Sequence, residues 1–165
     1  MIVGNGDIAG VLREVDRPDK LFFASGVSNS QETRESEYQR EKDLFAQQSR
    51  DAQIVYFGTL AVFYSDTRYT RHKLEMESLV KECPMYALVR LGNITWGDNP
   101  HTLINHLRVR VAEQKPFEIL DTTRYVINKD EFLHWVKLIP PWNVEMTLTG
   151  RPMRVKDIVR EYVLK

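Results

Sequence analysis

The chain has 165 residues, which is enough for one well-buried domain and too few for two of ordinary size. Its 23 basic and 23 acidic residues cancel, so no net field attracts nucleic acid or an anionic membrane surface. No apolar run is long enough to span a bilayer, and the N-terminus lacks the basic and apolar regions of a signal peptide. The single cysteine, Cys83, excludes an internal disulfide. We therefore expect a cytoplasmic protein with neither nucleic acid nor membrane as a partner.

Short apolar runs alternate along the chain with longer amphipathic ones, which is typical of an α/β sheet with helical crossovers. In chain order, the predicted strands are residues 1–3, 20–24, 53–58, 85–91, 117–120, 124–127 and 142–147. The predicted helices are residues 7–15, 32–48, 69–82, 99–113, 129–138 and 155–163. Pro and Gly predict turns at residues 17–19, 97–100, 140–141 and 150–152.

A first candidate site follows the first predicted strand directly. The six residues there match the G-x-G-x-x-G/A dinucleotide fingerprint, and they are Gly4, Asn5, Gly6, Asp7, Ile8 and Ala9. Gly4 would allow the tight turn, Gly6 would let the backbone approach a diphosphate, and Ala9 would let the helix pack closely on the strand. The alternative is an ordinary strand-to-helix turn. The position directly after a strand favours dinucleotide binding.

A second candidate site lies in residues 54–73, IVYFGTLAVFYSDTRYTRHK. The apolar strand ends in a hydroxyl side chain, Thr59, and the next helix begins with Tyr69 and Lys73 at positions i and i+4, on one helix face. An ammonium beside a phenol favours phenolate, so we expect a Tyr69 pKa that is lowered towards neutrality. This arrangement predicts proton transfer at a sugar hydroxyl while a nicotinamide exchanges a hydride with the sugar.

The Tyr-x-x-x-Lys spacing alone is not specific, because Tyr38–Lys42 and Tyr125–Lys129 share it. Tyr38 lies in a highly charged stretch, and Tyr125 lies in a predicted strand, where residues i and i+4 are about 13 Å apart. Only Tyr69 both follows a strand with a terminal hydroxyl and begins a helix, so context selects it. The alternative is that Tyr69 and its partner lysine are ordinary surface residues of a helix.

No metal site is predicted. The four histidines show no paired spacing with cysteines or carboxylates and are interpreted as non-ligands: His72, His101, His106 and His134.

Taken in order, these segments resemble the extended short-chain dehydrogenase/reductase superfamily, in its NAD-dependent epimerase/dehydratase branch. The similarity is greatest to compact members found among genes for bacterial surface polysaccharides. It runs nearly end to end, through VGNGDIAG, FFASGVSNS, IVYFGT, YTRHKLEME, LVRLGNITWG, NPHTLIN, TRYVINKDEF and WNVEMTLTGRPMRVKDIV. The resemblance implies a shortened Rossmann-like α/β fold: a mostly parallel sheet with helices on both faces and a small C-terminal substrate-binding portion. It implies a single domain, 1–165, whose substrate-binding elements come mainly from residues 93–165.

The resemblance also implies roles for residues. Thr59, Tyr69 and Lys73 would form the catalytic triad, with Tyr69 as the acid/base and Lys73 orienting the nicotinamide ribose of NAD or NADP, so that both also contact the cofactor. The residues that would line the cofactor at the end of the second predicted strand are Ala24, Ser25 and Gly26.

Two further residues would contact a nucleotide-sugar substrate. Asn93 follows the strand after the catalytic helix, and Arg124 lies where epimerases place an arginine on the nucleotide-sugar diphosphate. Each has an alternative of about equal weight: Asn93 as a turn residue, and Arg124 in a surface ion pair.

The resemblance breaks at the adenosine ribose. A Rossmann unit carries a carboxylate about 20 residues past the glycines, but here the next strand ends in Ala-Ser-Gly with no acid. We therefore expect that the second and third strands of the family are deleted, and the cofactor can be NAD or NADP.

We expect an NAD(P)-dependent nucleotide-sugar epimerase, reductase or dehydratase. The alternative is a non-catalytic reduced Rossmann module that binds a nucleotide or a protein. Helices 32–48 and 69–82 correspond to the helices that in this family pair with their symmetry mates, and Leu74, Met76, Leu79 and Val80 give the second an apolar surface. A homodimer is therefore predicted.

Overall fold

The computed structural model describes residues 1–115 and 122–164. Its main sheet has five strands, all parallel, in the spatial order β1-β2-β3-β4-β7. These strands are β1 (Ile2–Val3), β2 (Lys20–Phe23), β3 (Gln53–Thr59), β4 (Tyr86–Leu91) and β7 (Val144–Leu148). Parallel neighbours need crossover connections, and helices supply them.

Helices cover both faces of this sheet. They are α1 (Asp7–Leu12), α2 (Glu35–Ala46), α3 (Arg68–Lys81) and α5 (Lys129–Lys137), with short 3₁₀ turns at Arg13–Val15 and Leu60–Phe63. Side chains of β3 alternate between the two faces: Val55 and Phe57 join the core under α1 and α5, whereas Ile54 and Tyr56 join the core under α2 and α3. This alternation explains why β3 is a continuous apolar run.

A second, smaller sheet has the order β5-β6-β8, built from β5 (Asn93–Ile94), β6 (Thr123–Ile127) and β8 (Arg151–Arg154). It packs against α4 (Leu103–Ala112) and α6 (Val155–Ile158), which continues as a π-helical turn, Val159–Val163. All of these elements come from residues beyond 92.

The two sheets are joined at two glycines. β4 passes through Gly92 into β5, and β7 passes through Gly150 into β8. The Gly92 amide donates a hydrogen bond to the Leu148 carbonyl at 3.0 Å. Gly150 has φ +65°, and an added Cβ would collide with the carbonyl of Val126. Both joints are therefore positions that only glycine occupies without strain.

The predicted α/β fold is confirmed, with some shifts in its elements. Helix α2 begins at Glu35 rather than at residue 32, because the Glu32 carboxylate accepts hydrogen bonds from the amides of Thr33 and Arg34 and turns the chain before the helix. The predicted turn at residues 150–152 continues directly into β8, where Pro152 is tolerated on an edge strand. The predicted strand 117–120 lies outside the described residues.

Within residues 1–115 and 122–164, no strand lies beyond β1, which is one edge of the main sheet. This agrees with the expected deletion of the second and third Rossmann strands. No helix in the described ranges is long and apolar enough to cross a lipid bilayer.

The apolar surface of α3 is smaller than the sequence suggested. Met76 and Val80 are fully buried against the sheet, and Leu79 packs on the same core. Only Leu74 of the four predicted apolar residues is exposed. The reasoning that α3 carries surplus apolar surface is therefore wrong, because its apolar positions mostly face the sheet.

Candidate active site

A cavity of about 720 Å³ opens at the carboxyl ends of the parallel strands, between the main sheet and the small sheet. Twelve of the predicted site residues line it: Asn5, Gly6, Asp7, Ile8, Ala24, Ser25, Gly26, Thr59, Tyr69, Lys73, Asn93 and Arg124. The other two, Gly4 and Ala9, lie behind the wall, where Ala9 is fully buried. The fold thus brings the separately predicted segments to one place.

The two glycines of the N-terminal turn have different environments. Gly4 has φ +125°, and an added Cβ would collide with the carbonyl of Ala24 at the end of β2. Gly6 has an ordinary φ of −79° and is the N-cap of α1, and an added Cβ there would meet nothing within 4 Å. Gly4 is therefore required by the fold, whereas the open space beside Gly6 leaves room for a ligand.

The Asp7 side chain holds a loop of the small sheet over this turn. Its carboxylate oxygens accept hydrogen bonds from the amides of Asp98 and Asn99, each at 3.1 Å, and its carbonyl accepts one from the Trp96 indole. Asn99 in turn donates to the Ser28 hydroxyl at 2.9 Å. These bonds join distant parts of the chain, so sequence patterns could not predict them.

The hydroxyl of Thr59 lies at the end of β3, as predicted. Its oxygen accepts a hydrogen bond from the Ala61 amide at 3.2 Å and so caps the short 3₁₀ turn that follows. Because the oxygen accepts this backbone hydrogen bond, the hydroxyl proton can be donated to a different acceptor.

Tyr69 and Lys73 lie in the first turns of α3, which Thr67 caps. The half-buried Tyr69 faces the cavity, and the Lys73 ammonium lies 5.7 Å from the centre of its ring. Burial and the Glu41 carboxylate raise the pKa of Tyr69, while the side chain of Thr59 acts in the opposite direction. The expected lowering of the Tyr69 pKa is therefore wrong in this ligand-free chain.

Burial and Glu41 of α2 together account for the reversal. Its fully buried carboxylate accepts hydrogen bonds from Lys73 Nζ at 3.1 and 3.3 Å and from the Tyr56 hydroxyl at 2.7 Å. It also accepts from the Val27 amide at 2.7 Å and from His72 Nε2 at 2.9 Å. Burial acts to raise the pKa of Glu41, but Lys73 and these donors outweigh burial and hold the pKa well below its usual range. The Lys73 ammonium is thus paired with a carboxylate.

The two predicted substrate residues line the opposite wall. Asn93 lies on β5, and its side-chain amide donates to the Tyr125 carbonyl at 2.9 Å, which joins β5 to β6. The half-buried Arg124 lies on β6, and its guanidinium donates to the Thr123 carbonyl at 3.3 Å.

Glu41 is a site residue that the sequence reasoning missed. A signal was present: Tyr38, Glu41 and Phe45 recur at i, i+3 and i+7 and form the buried stripe of α2. A carboxylate on an otherwise apolar stripe indicates a buried partner. Arg40, whose guanidinium lies 3.3 Å from the Ser25 carbonyl at the cavity wall, was also missed.

No protein-family model matches the sequence, and a search of curated proteins finds no match. Solved structures do match. The Bordetella bronchiseptica enzyme WbmG in complex with NAD aligns over 93% of this chain and 60% of its own, with a TM-score of 0.66 and 15% identity. WbmH of the same organism, in complex with NAD+, aligns over 92% and 60%, with a TM-score of 0.69 and 13% identity.

A third match is RMD from Pseudomonas aeruginosa complexed with NADPH, over 87% of this chain and 62% of RMD, with a TM-score of 0.61 and 14% identity. The chain therefore spans about 60% of the length of these structures. The expected fold is confirmed: the chain has a shortened form of the fold of WbmG, WbmH and RMD.

Proposed function

We propose that this chain is an NAD(P)-dependent oxidoreductase-type enzyme that acts on a nucleotide-linked sugar in the cytoplasm, as an epimerase, reductase or dehydratase of surface-polysaccharide synthesis. One observation carries the proposal. Thr59, Tyr69 and Lys73 share one cavity with the Gly6 turn, although these residues come from three separate elements. A hydroxyl, a phenol and an ammonium beside a diphosphate-binding turn are the groups that this chemistry needs.

The residues present fit a nicotinamide dinucleotide over part of its length. The open space at Gly6 suits close approach of a diphosphate, and Tyr69 and Lys73 lie where they can reach a nicotinamide ribose. WbmG and RMD were crystallised with NAD and NADPH, which supports the same cofactor class here. The adenosine ribose has no carboxylate after β2 to hold it, and the choice between NAD and NADP stays open.

In the proposed mechanism, a nicotinamide dinucleotide held by the Gly6 turn, Tyr69 and Lys73 would supply or accept the hydride. Tyr69 exchanges a proton with the reacting sugar hydroxyl or carbonyl oxygen, and Thr59 donates a hydrogen bond to that same oxygen. Lys73 would orient the ribose from the same cavity.

The proposed substrate is a nucleotide-sugar. The Arg124 guanidinium on the cavity wall suits a diphosphate, which it can bind through two parallel hydrogen bonds. Asn93 offers an amide to the sugar or the nucleotide. WbmG has been crystallised with both NAD and UDP, at a TM-score of 0.65 and 16% identity, which supports this substrate class.

The second candidate function is a reduced Rossmann module that binds a nucleotide or a protein partner without catalysis. The missing ribose carboxylate favours it, as does the Asp7 carboxylate beside the phosphate-binding turn. Native mass spectrometry of freshly purified protein separates the two. Co-purified NAD(H) or NADP(H) supports the enzyme, and a nucleotide alone supports the module.

Dinucleotide binding gives a testable contrast between the two glycines. Gly6→Val should abolish NAD(H) and NADP(H) binding by calorimetry with little change in melting temperature, because the added side chain enters the open space where a diphosphate would lie. Gly4→Ala should instead destabilise the fold, by about 1–3 kcal/mol or more, because its φ of +125° is strained for alanine. Wild-type protein that binds neither dinucleotide at millimolar concentration would contradict the proposal.

We also propose a homodimer through α2 and α3. Leu74 is the exposed apolar side chain of α3, and ion pairs such as Arg68–Glu35 and Lys42–Glu75 lie along the two helices. The interface would therefore be largely polar. We therefore expect a dimer that weakens as salt rises. Sedimentation velocity at micromolar protein in low and physiological salt measures this, and a monomer in both buffers would exclude the dimer.

A further inference from the structure

The Lys73 ammonium is not free to act on Tyr69 alone. Its nearest charged partner is Glu41, and both side chains are almost completely buried. The same carboxylate accepts the amide of Val27, which lies in the turn after β2. One side chain of α2 therefore contacts both the helix that carries Tyr69 and the strand-end turn that borders the cavity.

The turn itself lies directly on this ion pair. An added Cβ at Gly26 would be 2.6 Å from Lys73 Nζ and 2.9 Å from Glu41 Oε1. Glycine at this position lets the backbone approach the Lys73 ammonium and the Glu41 carboxylate. Gly26, Tyr56 and His72 surround this ion pair on three sides and hold the two charged groups in place. The pair is therefore a buried ion pair, whose carboxylate accepts hydrogen bonds from several donors, and not a surface ion pair.

We propose that Glu41 is a positioning residue: its carboxylate holds the Lys73 ammonium and the Gly26–Val27 turn in one arrangement beside Tyr69 and neutralises the ammonium there. The role of Tyr69 in this inference rests on the proposed function. The consequence is that ligand-free protein keeps Tyr69 as a protonated phenol, ready to donate a proton, rather than as a phenolate.

The groups around the phenol agree with this assignment. By element, the titratable, charged or hydroxyl groups that act on it are Tyr38 and Glu41 of α2, Lys73 of α3, Tyr56 and Thr59 of β3, and Tyr64 after the 3₁₀ turn. Among them Glu41 is the carboxylate, and together with burial it raises the pKa of Tyr69.

The test is a tyrosinate absorbance titration of the full chain without cofactor or substrate, compared with Tyr69→Phe. In wild-type protein the Tyr69 midpoint should lie above that of an ordinary tyrosine, about 10. In Glu41→Gln, which keeps an oxygen acceptor but loses the charge, the midpoint should fall below the wild-type midpoint by about one pH unit or more. Ionisation of Tyr69 near neutral pH in wild-type protein would overturn the proposal, and this arm holds even where Glu41→Gln fails to fold.

Glu77→Gln is the matched control. Glu77 is also a buried carboxylate, on α3, and it pairs with Arg90 at 2.6 Å. Its loss should destabilise the protein comparably while leaving the Tyr69 midpoint unchanged. Equal midpoints in both variants and wild type would refute the positioning role. Because no step of the titration needs dinucleotide binding, failure here is distinguishable from failure of the proposed function, which the calorimetry of Gly6→Val and wild type decides.

Discussion

Replacing Tyr69 with phenylalanine is expected to lower turnover of a nucleotide-sugar by about 10²–10⁴-fold, because the variant keeps the ring but loses the exchangeable proton. Stability should change little, since Tyr69 is only half-buried and faces the cavity. Turnover is measured with a panel of nucleotide-sugars and NAD(P)(H), and melting temperature is measured in parallel.

The chain supplies two controls with the same Tyr-x-x-x-Lys spacing. Tyr125→Phe alters an exposed side chain on β6 and should leave both turnover and stability near wild type. Tyr38→Phe removes a buried hydroxyl that donates to the Glu32 carbonyl at 2.7 Å, so it should cost about 1 kcal/mol of stability but little turnover. Equal losses of turnover in the three variants would contradict the assignment of Tyr69 as the acid/base.

Replacing Lys73 with methionine is expected to lower the free energy of unfolding by about 3–5 kcal/mol, because the buried Glu41 carboxylate loses its counter-charge. Lys81→Met is the matched control on the same helix. Its partner is Glu145 at 2.6 Å, but both side chains are exposed to solvent over about two-fifths of their surface, so about 0–1 kcal/mol is expected. Urea unfolding at neutral pH measures both.

The pH dependence of the Lys73 effect has a definite sign. The pKa of Glu41 is depressed in the folded chain, so its contribution to stability is present above its unfolded pKa, near 4.5, and is lost as pH falls through the folded value. In Lys73→Met the carboxylate protonates more readily. The stability difference from wild type should therefore shrink below about pH 4.5. A difference that stays constant or grows in acid would show that Glu41 is not the cause.

The sequence was sufficient for most of the fold because local patterns determine it. The buried strand β3 is a continuous apolar run, and the helices that flank it carry one apolar stripe each. The convergence of Thr59, Tyr69 and Lys73 was also predictable, since the first ends a strand and the others share a helix face.

The state of the Tyr69 phenol was not predictable in the same way. Its pKa is raised by burial and by Glu41, and Glu41 meets Lys73 across the gap between two helices that are separated by a strand in the chain. Spacing along the sequence does not show which faces of two helices meet. The strand β8 was missed for a different reason. Pro152 predicts a turn from the sequence, and a strand that contains proline is expected only where the sheet topology shows that it lies at an edge.

The small sheet is tied to the main sheet by the backbone itself. Gly92 and Gly150 connect two adjacent strands of the main sheet to the small sheet, and β6 continues through Asn128 into α5, which packs on the main sheet. The Asp7 carboxylate adds hydrogen bonds to the Asp98–Asn99 loop. Three chain connections thus hold the wall that carries Asn93 and Arg124 against the wall that carries Tyr69, so a ligand enters a cavity whose two walls are already joined by covalent bonds.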